Sequence, residues 1–257
     1  MLIFKKTKGG ITMDSFLLIG QSNMAGRGSL KEAPAIDTSH IYTLRNGRWQ
    51  RMFRPINPDR HFSGTNLAES FAERYAQKYS VDVGLICCAD GGTSLSQWMP
   101  GELLFDNAVY QAKLAQRTSK IRGILWHQGE GDCSEELYPT YQQRFEVMIN
   151  ALRKELNLPE VPVILGGLGE FLEFHPLKYY VEINDALENI AKNNELIGFA
   201  SAKGLTANPD NLHFNAQSLY EFGLRYLDEF EKLWDKNEHV DEETVAQDIT
   251  RSAMELL

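Results

Sequence analysis

Ser22 stands in Gly20-Gln21-Ser22-Asn23-Met24-Ala25-Gly26, directly behind a short apolar run. Gly20 and Gly26 permit a sharp backbone exit that would leave the hydroxyl exposed. A serine hydroxyl alone is a poor nucleophile and needs an adjacent base. His213, in Asp210-Asn211-Leu212-His213-Phe214, is the best candidate. Asp210, three residues earlier, can reach the far ring nitrogen in a turn. That would fix the tautomer and stabilise the imidazolium, as the acid of a Ser-His-Asp triad does. The D-x-x-H spacing is weak by itself and gains force only from Ser22. Ser22 also has a plainer use, as a helix cap.

Acyl transfer further requires donors aimed at a developing oxyanion. The candidates are the backbone N–H groups of Ser22 and Gly92 and the side-chain amide of Gln128. A tight turn at Gly91-Gly92 and strand-end bonding by Gln128 are the competing explanations. Glu130 is open between a second acid behind His213, a partner for Gln128 and a loop brace. His127-x-x-Glu130 resembles a metal-ligand spacing, but no helix-borne H-E-x-x-H or carboxylate cluster accompanies it, so no metal and no cofactor are expected. Gly166–Gly169 lacks the lysine of a phosphate-binding loop.

These residues fall at regular places. Apolar strand candidates are Phe16–Ile19, Val83–Cys88, Ile121–Trp126, Val161–Leu165 and Ile197–Ala200. Helical spacing covers Asn66–Tyr79, Leu103–Gln116, Tyr138–Leu156, Lys178–Lys192 and Ala216–Trp234. Such alternation predicts an α/β fold with a mostly parallel five-stranded sheet covered on both faces. Each strand is followed by small or polar residues, and ligands of open parallel sheets bind beyond the carboxyl ends of the strands. Residues 26–65 read as a long excursion between the first strand and first helix.

The chain has 257 residues, 43% of them apolar, and a formal net charge of -9. One domain over residues 13–235 is expected, with an N-terminal tail at 1–12 and a charged helix or tail at 236–257. The acidity argues against nucleic acid and anionic membranes as partners. No apolar stretch is long enough to span a bilayer. Three cysteines without a secretory context point to reduced thiols and a cytoplasmic location.

Taken together, Gly20–Gly28, Gly91-Gly92-Thr93-Ser94-Leu95 with Trp98, Trp126-His127-Gln128-Gly129-Glu130 and Asp210-x-x-His213-Phe214 resemble the sialate O-acetylesterase-like domain. That group includes the acetylxylan esterases of carbohydrate esterase family 6, within the SGNH hydrolase superfamily. The resemblance implies a flavodoxin-like three-layer α/β/α sandwich and metal-free removal of acetyl groups from carbohydrates. It makes Ser22 the nucleophile, His213 the base and Asp210 its acid, with Glu130 still in contention. It makes Ser22, Gly92 and Gln128 the oxyanion donors. Where the wider superfamily has Gly-Asp-Ser, Gln21 replaces the aspartate. Gln21, Asn23, Arg27, Arg60, His61 and Trp98 are the expected substrate contacts, and a cationic side chain would suit an acidic sugar. The competing functions are a non-catalytic carbohydrate-binding domain and a small-acyl lipase or thioesterase on the same fold.

Overall fold

The computed structural model describes residues 13–234. The tails expected at 1–12 and 236–257 lie outside the described residues. In chain order the main elements are β1 (Met13–Gly20), α1 (Ser22–Ala25), β2 (Ile41–Arg45), β3 (Arg48–Arg51), α2 (Leu67–Tyr79) and β4 (Asp82–Cys87). There follow α3 (Leu103–Ala115), β5 (Lys120–His127), α4 (Tyr141–Leu156), β6 (Val163–Gly166), α5 (Tyr180–Lys192) and β7 (Ile197–Ala200). A last helix, α6, runs over residues 216–234.

One sheet carries the strands in the order β3-β2-β4-β1-β5-β6-β7. All neighbours are parallel except β2 and β3. The expected sheet of five is therefore a sheet of seven. The extra pair is a hairpin inside the excursion at 26–65, and its turn is Asn46-Gly47, both at positive φ. Such a turn matches the right-handed twist of the strands it joins. The Asn-Gly pair was the available signal. It was obscured because β3 reads Arg-Trp-Gln-Arg, polar enough for an exposed edge strand. The five strands β4-β1-β5-β6-β7 keep the flavodoxin-like order, with the reversal of winding at β1.

Aromatic packing ties the helices to the sheet. Phe16 of β1 meets Phe71 of α2 at 4.7 Å, Tyr75 at 4.9 Å and Phe230 of α6 at 5.4 Å, all edge-on. Each such pair contributes about 0.5–1.5 kcal/mol beyond area burial. On the other face Trp126 of β5 packs edge-on to Trp98 and against Phe145 of α4. Helices thus cover both faces, giving the three-layer α/β/α sandwich. Since α6 is held against β1, the loop entering it is delivered to the carboxyl end of the central strands.

Candidate active site

The turn behind β1 begins at Gly20, whose φ is +131° and where a Cβ would collide with the His127 carbonyl. Only glycine lets the chain turn so close to its parallel neighbour. Ser22 then opens the single turn α1, and Gln21 holds the cap position without a side-chain cap bond. Ser22 is therefore not the capping residue. Its Oγ lies 2.9 Å from His213 Nε2, although 191 residues separate the two in sequence.

The far side of the imidazole is equally defined. His213 Nδ1 is 2.7 Å from Asp210 Oδ2, while Asp210 Oδ1 accepts the backbone N–H groups of Leu212 at 2.9 Å and His213 at 3.0 Å. A carboxylate only accepts, so Nδ1 carries the proton and the Nε2 lone pair faces the serine. Burial would push the Asp210 carboxyl up, but the hydrogen bonds from the His213 backbone and ring and from Leu212 outweigh it. The group is held below the ordinary aspartate value.

Glu130 does not touch His213 in this arrangement. Its Oε1 accepts from Asn23 Nδ2 at 2.6 Å and faces His127 Nε2 at 3.4 Å. Against the cost of burial, the His127 ring and the Asn23 amide hold this carboxyl down as well. Asn23, expected at the substrate, is buried and committed elsewhere. It donates to Glu130 and to the Leu212 carbonyl at 3.2 Å, and accepts from Phe214 N–H at 3.1 Å. Asn23 thus grips the chain on both sides of His213, and Glu130 reaches the imidazole only through that clamp.

An open cleft of about 380 Å³ lies over these groups, lined by Gln21, Ser22, Arg27, Arg60, Phe62, Gly91, Gly92, Glu130, Gly131, His175, Leu177, Leu212 and His213. Gly92 is exposed there at φ +79°. Its N–H and that of Ser22 make no hydrogen bond to another described residue. Gln128, the expected amide donor, is fully buried. Its Nε2 donates to Asp132 Oδ2 at 2.6 Å and the Thr93 carbonyl at 3.2 Å, so it cannot serve an oxyanion in the cleft. Asp132 is clamped in turn by Arg144 and by Leu95 N–H.

Trp98 is likewise removed from the expected contacts: it is 1% exposed, with its indole N–H on Thr93 Oγ1. His61 is exposed but stands outside the lining, edge-on to Phe62 at 4.9 Å. Phe62 and the segment holding His175 and Leu177 supply wall instead, and as isolated loop residues they offered no sequence pattern.

Arg27 and Arg60 do line the cleft, and both already face carboxylates. Arg27 makes a two-pronged pair with Asp59 at 2.7 and 3.0 Å, with both side chains almost wholly buried. Arg60 pairs with Asp90 at 2.7 Å and donates to the Gly91 carbonyl, which accounts for an aspartate ahead of the two glycines. Burial pushes the Asp59 carboxyl up, but Arg27, Ser63 and Gly91 N–H more than offset this and hold it below the ordinary aspartate range. Removing one partner of a buried pair leaves the other charge uncompensated. Asp59→Ala should therefore cost about 3–5 kcal/mol, read from urea midpoints. Because the folded value is depressed, the stabilisation is present above the unfolded value and lost as pH falls through the folded one. The wild-type advantage should narrow below about pH 4; an unchanged gap would disconnect it from Asp59 ionisation.

The cysteines are not competing nucleophiles. Cys87, Cys88 and Cys133 are free thiols outside the lining, and burial pushes all three up, Cys88 to about 12. Among the described residues no helix is long and apolar enough to cross a membrane.

The family model for "carbohydrate esterase, sialic acid-specific acetylesterase" matches residues 12–232. A "probable carbohydrate esterase" of Arabidopsis thaliana is 27% identical over 235 residues, 81% of this chain and 86% of its own. A solved Arabidopsis thaliana structure, 25% identical, superposes with a TM-score of 0.78 over 87% of this chain and 99% of its own. NanS superposes at 0.69 with 16% identity, over 88% and 99% of the two chains. A carbohydrate acetylesterase from Xanthomonas citri gives 0.62 with 18% identity, over 84% of this chain and 55% of its own. The last two likenesses are of fold, and that fold is the SGNH hydrolase type.

Proposed function

The chain belongs to the carbohydrate esterase family of sialic acid-specific acetylesterases, and from that premise we propose that it removes O-acetyl groups from sugars through a serine acyl-enzyme. The observation that carries this reading is the hydrogen-bonded line Ser22–His213–Asp210, open to the cleft at its serine end. His213 Nε2 takes the Ser22 proton as Oγ attacks the acetyl carbonyl carbon, and the carbonyl π pair moves to oxygen. Collapse of the tetrahedral adduct breaks the bond to the sugar oxygen, which receives the proton from Nε2. Water then attacks acetyl-Ser22 by the same route, leaving acetate and the free hydroxyl. Half of the Asp210 side chain and a sixth of the His213 side chain are solvent-exposed, so water can reach the base for this second step.

The preferred substrates are uncharged acetylated sugars of the xylan type rather than sialates. Both lining guanidinium groups already face Asp59 and Asp90, and Glu130 and Asp210 add negative charge around the serine. Acetate release should be faster from acetylated xylo-oligosaccharides than from O-acetylated sialic acid. The opposite order would overturn the charge argument and leave the esterase standing; no acetate from any acetylated sugar would overturn both.

The same assay gives a pH prediction. Asp210 and Glu130 are held below the ordinary carboxylate range, so both stay ionised through roughly pH 5–7. Neither carboxylate then adds a proton uptake to that limb, and catalysis needs one unprotonated base to accept from Ser22. Log(kcat/KM) should fall with acidification at a slope of about one. A slope near two would mean that a carboxylate titrates with the base.

A further inference from the structure

A folded chain leaves some apolar side chains outside, and each by itself needs no explanation. Among the described residues eight large ones are exposed, and of these Phe62 alone lines the cleft. The other large apolar side chains of the lining, Leu177 and Leu212, are partly buried against the core, whereas Phe62 is 58% exposed. Its position is nonetheless fixed. It stands on a turn closed by the Ser63 N–H on the Arg60 carbonyl at 3.1 Å. Ser63 Oγ accepts the Arg60 N–H at 3.0 Å and lies 2.7 Å from Asp59 Oδ1. Asp59 is the partner of Arg27, and the Arg27 guanidinium lies over the Phe62 ring, 5.3 Å from its centroid. A cation over a ring face attracts it and helps to hold the ring. One line of contacts thus runs from a buried ion pair to an exposed aromatic ring in the cleft.

We infer that Phe62 is the platform on which the sugar ring of the substrate rests, and that it makes the enzyme select sugar esters over small alkyl esters. The role rests on the acetylsugar reading of the site. Ser22 is 6% exposed and belongs to the cleft floor, while the accessible Phe62 belongs to its rim. An acetyl group within reach of Ser22 Oγ therefore lies deep, and the sugar that carries it extends toward the rim. A pyranose presents C–H groups on its broad faces and hydroxyls around its edge. A flat aromatic ring covers such a face and removes apolar area from water, while the hydroxyls stay hydrated. Because Arg27 and the turn already hold the ring, little side-chain freedom is lost when a ligand covers it. The contact is the same before and during attack, so it acts on KM rather than kcat. An alkyl acetate has no such face, and the result is discrimination between the two.

Phe62→Ala separates the platform from the chemistry. The two substrates are ethyl acetate and the O-acetylated sugar that wild type cleaves fastest, expected to be acetylated xylobiose. On the sugar ester KM should rise at least about tenfold while kcat stays within about threefold. On ethyl acetate kcat/KM should stay within about twofold. Phe62→Leu keeps apolar bulk without the flat face and should lose the sugar preference as alanine does. Phe62→Tyr keeps the face and should stay within about threefold of wild type on both esters. A sugar preference retained by alanine or leucine, a tyrosine variant as impaired as alanine, or a loss carried by kcat overturns the proposal. An equal loss on both esters also overturns it, since a merely structural role or a contact to the acetyl group would give that result. Should the alanine variant not fold, the leucine variant makes the same comparison. A wild type that hydrolyses ethyl acetate and no acetylated sugar would remove the sugar reading and this role together, so the two failures are distinguishable.

Discussion

Ser22→Ala should lower kcat/KM on an aryl acetate by at least about 10⁴-fold. The variant keeps the cleft, the imidazole and the oxyanion donors, so whatever turnover persists measures their help to attack by water. The fold should hardly notice. Ser22 gives up one hydrogen bond to His213, about 1 kcal/mol, which in a domain of this size moves the melting temperature by about 2–4 °C. Activity within tenfold of wild type would exclude Ser22 as the nucleophile. A large fall in melting temperature would make the variant uninformative about chemistry, and circular dichroism beside the kinetics separates the two.

Asp210→Asn should lower kcat by about 10³-fold with little change in KM. The asparagine Oδ1 can keep the N–H bonds of Leu212 and His213, so the loop should retain its shape. Its Nδ2, however, is a donor where Oδ2 accepted from His213 Nδ1. The imidazole is then driven to carry its proton on Nε2, and a protonated Nε2 cannot accept from Ser22. The lost charge also stops supporting the imidazolium formed during attack. Because Asp210 is nearly half exposed, water can compete for Nδ1, which sets the expectation below the loss found when such an acid is fully enclosed. Glu130→Gln is the informative comparison. Gln can still accept from Asn23, so its effect should be much the smaller; the reverse ranking would make Glu130 the principal acid.

The architecture was legible because buried parallel strands advertise themselves. The β1, β4, β5, β6 and β7 cores are short apolar stretches rich in Leu, Ile, Val and Phe, each followed by small or polar residues. That pattern was enough to predict that Ser22, Gly92, Glu130 and His213 would gather at one end of the sheet. The β2–β3 pair was not, since an exposed edge strand needs no apolar run. Side-chain commitments were hidden for a different reason. Nothing local in Gln128 or Asn23 says that a distant Asp132 or Leu212 will take up its amide. Arg27 resembled a free cation for want of any way to foresee Asp59 beside it. Trp98 was an expected substrate contact, yet its edge-on packing on the Trp126 ring claims it as core. Motif residues tell where chemistry gathers; which of them face a ligand depends on partners far along the chain.

Stoichiometric inactivation by a fluorophosphonate, followed by peptide mapping, tests the central claim most directly, because the reagent needs a serine already activated by its base. The expected result is one phosphonyl group per chain, on Ser22, with activity lost in proportion, and markedly slower labelling in Asp210→Asn. Phosphonylation of another residue, or an enzyme that keeps its acetylesterase activity with Ser22 fully modified, would contradict the account.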